Sequence, residues 1–177
     1  AGTEHSATIL FSGPSHSAAR WAREELAAKF GVGAELWSVT SYKKLREQAL
    51  DAERWTRLNP GDARSIDVTE KLNATQGPIV AVSDYMTIVP DQISRWTPRS
   101  FVPLGTDGFG RSDTREVLRT FFEIDGPNVV VAVLSSLANE GAISMDVVTQ
   151  AITDYGIDNT RSNPFQFETG PALPANR

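Results

Sequence analysis

The sequence predicts a single α/β domain. Two kinds of segment carry that expectation. Short β-rich apolar runs occur at residues 7–11 (ATILF), 34–39 (AELWSV) and 78–83 (PIVAVS), and between them apolar residues recur at three- and four-residue spacing. Their alternation is the third observation: strand, helix, strand, helix implies crossover connections and parallel pairing.

Composition fits this class. A chain of 177 residues buries roughly two-thirds of its unfolded surface. With 40% apolar residues, 22% charged residues and a net charge of −5, it reads as soluble and globular, not as a partner for nucleic acid. It has no cysteine, which excludes disulfides, thiolate nucleophiles and cysteine metal sites and suits a cytoplasmic setting. No apolar run approaches the roughly 18–20 residues needed to span a bilayer, and no secretory leader is visible, so no membrane partner is expected. Because the chain starts at Ala1 and not at methionine, it is expected to be processed or cut from something longer.

The first strand, residues 7–11, ends at Ser12-Gly13-Pro14. Ser15 is a candidate N-cap for a helix whose apolar face is Ala19, Ala22, Leu26 and Phe30, stopped by Gly31. Residues 34–39 form a second strand. Ser41 then caps a helix through Tyr42, Leu45, Ala49 and Ala52 that reaches Trp55 before Asn59-Pro60. A short helix is expected over 66–75, a buried strand over 78–83 and a short strand over 101–104. A glycine-rich loop, 105–111, precedes a helix with Asp113 and Glu116 at capping-box spacing. Residues 127–138 remain open, since the valines favour a strand while the length and Pro127 favour a helix. Ser144 opens a last helix closed by Gly156, and residues 164–177 read as an irregular tail.

Two places could carry chemistry. Ser12, Gly13, Ser15 and His16 form a strand-to-helix turn able to hold a small anion, although the turn matches no known phosphate-loop pattern and equally suits a plain helix start. Asp107, Gly108, Phe109, Gly110, Arg111, Ser112 and Asp113 form a loop able to line a domain interface or an active-site wall. Its glycines also serve any tight connection, and Asp107 and Asp113 read as caps before they read as an acid–base pair. His5 and His16 are the only histidines and neither adjoins a nucleophile elbow, so a hydrolase is poorly supported. The four tryptophans read as core or interface residues, not as a stacking platform. No catalytic, cofactor-binding or metal-binding residue is assigned.

Three stretches resemble the third domain of the homodimeric pyruvate dehydrogenase decarboxylating component: WSVTSY at 37–42 with Leu45-Arg46, Ser83-Asp84-Tyr85 with PDQI at 90–93, and LGTDGFGRSDTRE at 104–116. The resemblance covers about residues 7–164 and implies a transketolase C-terminal-like fold. That fold is a three-layer α/β domain with about five mostly parallel strands, one of them antiparallel, and with residues 127–138 helical.

The resemblance also implies a thiamine-diphosphate- and magnesium-dependent 2-oxoacid dehydrogenase that transfers its acyl group to lipoamide within a multienzyme complex. Here this chain would be a structural and assembly domain or split subunit, inactive by itself. Its partners would be the two thiamine-binding domains, a dimer mate and, indirectly, a lipoyl-bearing acyltransferase, with the cofactors held outside this chain. The Gly13-Pro14-Ser15-His16 turn departs from the family pattern, which leaves the 2-oxoacid open. The alternative is an independent α/β module that binds small anions.

Overall fold

The computed structural model describes residues 3–166. Strand β1 (His5–Phe11) runs through a 3-10 turn (Gly13–Ser15) into helix α1 (His16–Phe30), followed by β2 (Val32–Ser38), α2 (Tyr42–Leu58) and α3 (Asp67–Asn73). Then come β3 (Ile79–Val82), α4 (Ile88–Asp91), a second 3-10 turn (Ser94–Trp96), β4 (Phe101–Leu104), α5 (Arg115–Phe121), α6 (Gly126–Asn139) and α7 (Met145–Asp154).

The sheet has four strands in the order β2-β1-β3-β4. All pairings are parallel, with Ile9 opposite both Leu36 and Val80, and Val82 opposite Leu104. Side chains alternate across it, as strand geometry requires. Ala7, Ile9, Val80 and Val82 face α1, α6 and α7, while Leu10, Ile79 and Ala81 face the layer built from α2, α3 and the second 3-10 turn. Helices therefore cover both faces, which is the three-layer α/β architecture that the sequence predicts. Pro103 is tolerated because β4 pairs only with β3 and lies at an edge.

Several expectations are refined. No fifth, antiparallel strand occurs among the described residues. After β4 the chain enters a polar, glycine-rich loop, and the valine-rich segment, the other strand candidate, is helix α6. Asp125 caps α6 by accepting from Asn128 N, Pro127 stands in its first turn, and Val129, Val130, Val133, Leu134 and Leu137 are buried. Ser15 does not cap α1, because the 3-10 turn runs directly into the helix and the Ser15 hydroxyl is engaged elsewhere. The cap of α5 is Thr114, which accepts from Val117 N, so the Asp113–Glu116 capping box does not form. Of the tail, residues 164–166 form a turn and residues 167–177 lie outside the described residues.

By length and composition the stretch Arg115–Asn139 is apolar enough to cross a membrane. It is nonetheless two helices separated at 122–125, and α6 packs against α1 and α7 as a core helix.

Candidate functional site at the carboxyl edge of the sheet

From β1 the chain moves outward to β2, then returns to place β3 on the other side of β1. The crevice beyond the carboxyl ends of β1 and β3 is therefore the topological switch point, the usual ligand site of open parallel sheets. Here the Ser12 and Ser83 hydroxyls lie 3.1 Å apart, both residues buried, and Ser83 Oγ accepts from Tyr85 N at 3.0 Å. Ser15 Oγ donates to Asp84 Oδ1 at 2.9 Å.

From α5, Arg119 reaches into the same crevice, donating to Pro14 O at 3.1 Å and to Ser17 Oγ at 3.3 Å. Its guanidinium lies 3.7 Å from the Asp84 carboxylate. The protein's own carboxylate thus occupies the polar turn. The Ser15 hydroxyl of the anion-site candidate and the Arg119 guanidinium beside it are already engaged by Asp84. Gly13 supplies the positive φ of 53° that the turn needs, and His16 is exposed on the first turn of α1.

The loop after β4 is fastened to this edge from several directions. Thr106 donates from N to Tyr85 O at 2.9 Å and from its hydroxyl to Asp84 O at 3.0 Å. Asp107 Oδ1 accepts from Thr87 N at 3.0 Å and its other oxygen accepts from the Thr87 hydroxyl, so Asp107 bonds the residue that precedes α4. Gly105 and Gly108 permit close approach. A Cβ on Gly105 would lie 2.5 Å from Tyr85 O, and one on Gly108, where φ is 107°, would lie 2.4 Å from Pro164 O.

Beyond that anchor, residues 108–113 face solvent and Phe109 is 75% exposed. The Arg111 guanidinium stacks 3.9 Å from the Phe121 ring, and Asp113 accepts from Thr114 N at 2.7 Å. Asp107 and Asp113 are thus engaged in separate local contacts and form no acid–base pair. Tyr85, Met86, Ile88 and Phe165 are likewise each more than half exposed.

The crevice contains a cavity of about 300 Å³ lined by Asp84, Asp113, Arg115 and Arg119, among others. Ser83, Asp84 and Arg119 were not singled out as site residues from the sequence, whereas Thr106 opens the glycine-rich candidate loop. Ser83-Asp84 carries a local signal, because it directly follows a buried strand, whereas Arg119 has none: it looks like any charged helix residue. Among the described residues no group of three or more His, Cys, Asp or Glu side chains is arranged to hold a metal.

The tryptophans are dispersed. Trp21 stacks edge-on against Tyr155 at 5.7 Å, the indole of Trp55 donates to Asp62, that of Trp96 donates to Glu53, and Trp37 flanks a separate cavity under α2.

Residues 1–125 match the family described as the transketolase-like TK C-terminal domain. The pyruvate dehydrogenase E1 component of Pseudomonas aeruginosa is 44% identical over 162 residues, covering 90% of this chain and 18% of that protein. The E1 component of Corynebacterium glutamicum is likewise 44% identical over 162 residues, with 91% and 18% coverage, and that of Escherichia coli is 40% identical over 165 residues, with 92% and 18%. The chain therefore spans 18% of the length of these relatives. A parallel α/β sandwich, a loop after β4 locked by two glycines, and a family match over most of the sequence agree: the chain belongs to the transketolase-like C-terminal domain family.

Proposed function

We propose that this chain is the structural and assembly domain of a cytoplasmic thiamine-diphosphate-dependent 2-oxoacid dehydrogenase, the decarboxylating component of a multienzyme complex. One observation carries the reading: Tyr85, Met86, Ile88, Phe109 and Phe165 are exposed apolar side chains, and the loop after β4 is braced at Gly105, Asp107 and Gly108. Exposed apolar side chains beside a braced backbone are what a docking face requires. In the names of the relatives, and in the small share of their length that this chain covers, lies the support for the assignment.

The loop 107–113 contacts the thiamine-binding domains, directly or across a dimer. Those domains hold the magnesium and the cofactor, which supplies the carbanion chemistry for decarboxylation and acyl transfer to a lipoyl-bearing acyltransferase. This chain's residues shape and brace. Arg119 ties α5 to the β1–α1 turn, and Asp107 ties the loop to the start of α4.

The test is sedimentation of the purified chain, alone and mixed with the thiamine-binding domains of the same enzyme, together with a 2-oxoacid decarboxylation assay. The chain is expected to be inactive alone and active in the assembly. Phe109→Asp should weaken assembly at least tenfold while the isolated chain keeps the circular dichroism spectrum of the parent. Turnover by the chain alone, or an assembly indifferent to its presence, would overturn the proposal.

A further inference from the structure

A cavity lies away from the loop after β4, between α2, α3 and the carboxyl ends of β1 and β2, and measures about 470 Å³. That is within the range of small-ligand sites, roughly 300–1,000 Å³. Its floor is apolar, built from Leu10, Leu45, Val68, Leu72 and Ile93, and Trp37 forms part of the wall. Its mouth is cationic. Lys71 lines it from α3 and makes no ion pair among the described residues, and Lys44 lines it from the first turn of α2, sharing its charge with Glu47 at 3.0 Å. The N-terminus of the 17-residue helix α2 opens at the same place, so its positive dipole end adds to the two ammonium groups. Asp67, in the first turn of α3, is the one acidic residue among those lining the cavity, against the two lysines.

From this pairing of an apolar floor with a cationic mouth, in a chain whose net charge is −5, we propose that the cavity binds a small amphipathic carboxylate, with an aromatic or medium-length aliphatic body on the floor and the carboxylate toward Lys71. The site uses residues of this chain only, so it stands independently of the thiamine-enzyme reading. A diphosphate or a sugar fits less well, because the floor offers a polar ligand few partners.

Calorimetric titration of the whole chain with octanoate and indole-3-acetate, each set against its neutral counterpart, octanol and indole-3-acetamide, tests the site. The carboxylates are expected to bind saturably, at least tenfold more tightly than the neutral compounds, and more weakly as salt is raised. Lys71→Glu, at an exposed position, should weaken carboxylate binding at least tenfold, and Thr40→Trp, which obstructs the exposed rim, should abolish it, with both variants retaining the parent circular dichroism spectrum. Equal binding of acid and neutral compound, unchanged affinity in Lys71→Glu, or no saturable binding of either carboxylate would overturn the proposal.

Discussion

Gly105 leaves no space for a methyl group, since a Cβ there would press on the carbonyl of Tyr85 at 2.5 Å and on the amide of Thr87 at 2.6 Å. Both neighbours are backbone, so relief requires moving the β3–α4 connection itself. Gly105→Ala is therefore expected to cost about 1–3 kcal/mol, as overpacking does, lowering the urea midpoint. Gly110→Ala, in the same loop but with nothing within 4 Å of the added Cβ, should stay within about 0.5 kcal/mol. Equal effects would show that the loop is not clamped at Gly105. From the sequence both positions were simply glycines of a tight loop. What separates them is a contact with residues about twenty positions earlier, which no local pattern encodes. Ser15 teaches the same lesson: its type and place suggested a cap, but its hydroxyl bonds Asp84, 69 residues away.

Elements whose signals are local were legible. Ser41 stands ahead of a helical apolar stripe, and its hydroxyl accepts from Lys44 N at 3.2 Å, as an N-cap should. Ser41→Ala is expected to destabilise the chain by about 1 kcal/mol, and Ser41→Asp should recover most of it, with thermal unfolding as the measurement. An unaltered melting curve for Ser41→Ala would mean that packing of Tyr42, Ala49 and Ala52 alone holds α2 in place. Helix α6 was undecidable by pattern because it is buried on most sides, so its valines show neither a polar face nor an alternation. Burial between α1, α7 and the sheet overrides the β preference of valine.

At the scale of the molecule, carboxylates that bond from one element to another contribute to the acid sensitivity of the fold. Glu53 of α2 is held below the ordinary carboxylate value of 4.5, chiefly by Arg95 and then by the indole of Trp96, which joins α2 to the second 3-10 turn. Glu25 of α1 is lowered by Lys29 first and also accepts from the Tyr155 hydroxyl beyond α7. The folded chain therefore binds these protons more weakly than the unfolded one. Their stabilisation is complete above about pH 4.5 and is lost as the pH falls through the depressed values. Urea midpoints measured across that range should decline for the parent chain and slightly less for Glu53→Gln, since a solvent-screened pair contributes modestly; parallel curves would assign the acid sensitivity to other groups. Layering and strand direction were readable from the alternation of elements, whereas the strand order was not, because it depends on which crossover returns past β1. That order has a kinetic consequence. The first strand made is an inner strand of the finished sheet, and its partner across the switch point, marked by the Ser12–Ser83 contact, lies 71 residues downstream. During synthesis β1 can pair early with β2, but its other edge waits, unpaired and apolar, until β3 has emerged. Such long-range parallel closure is slow, so chaperone dependence and aggregation of nascent chains should concentrate in the interval before residue 83 leaves the ribosome.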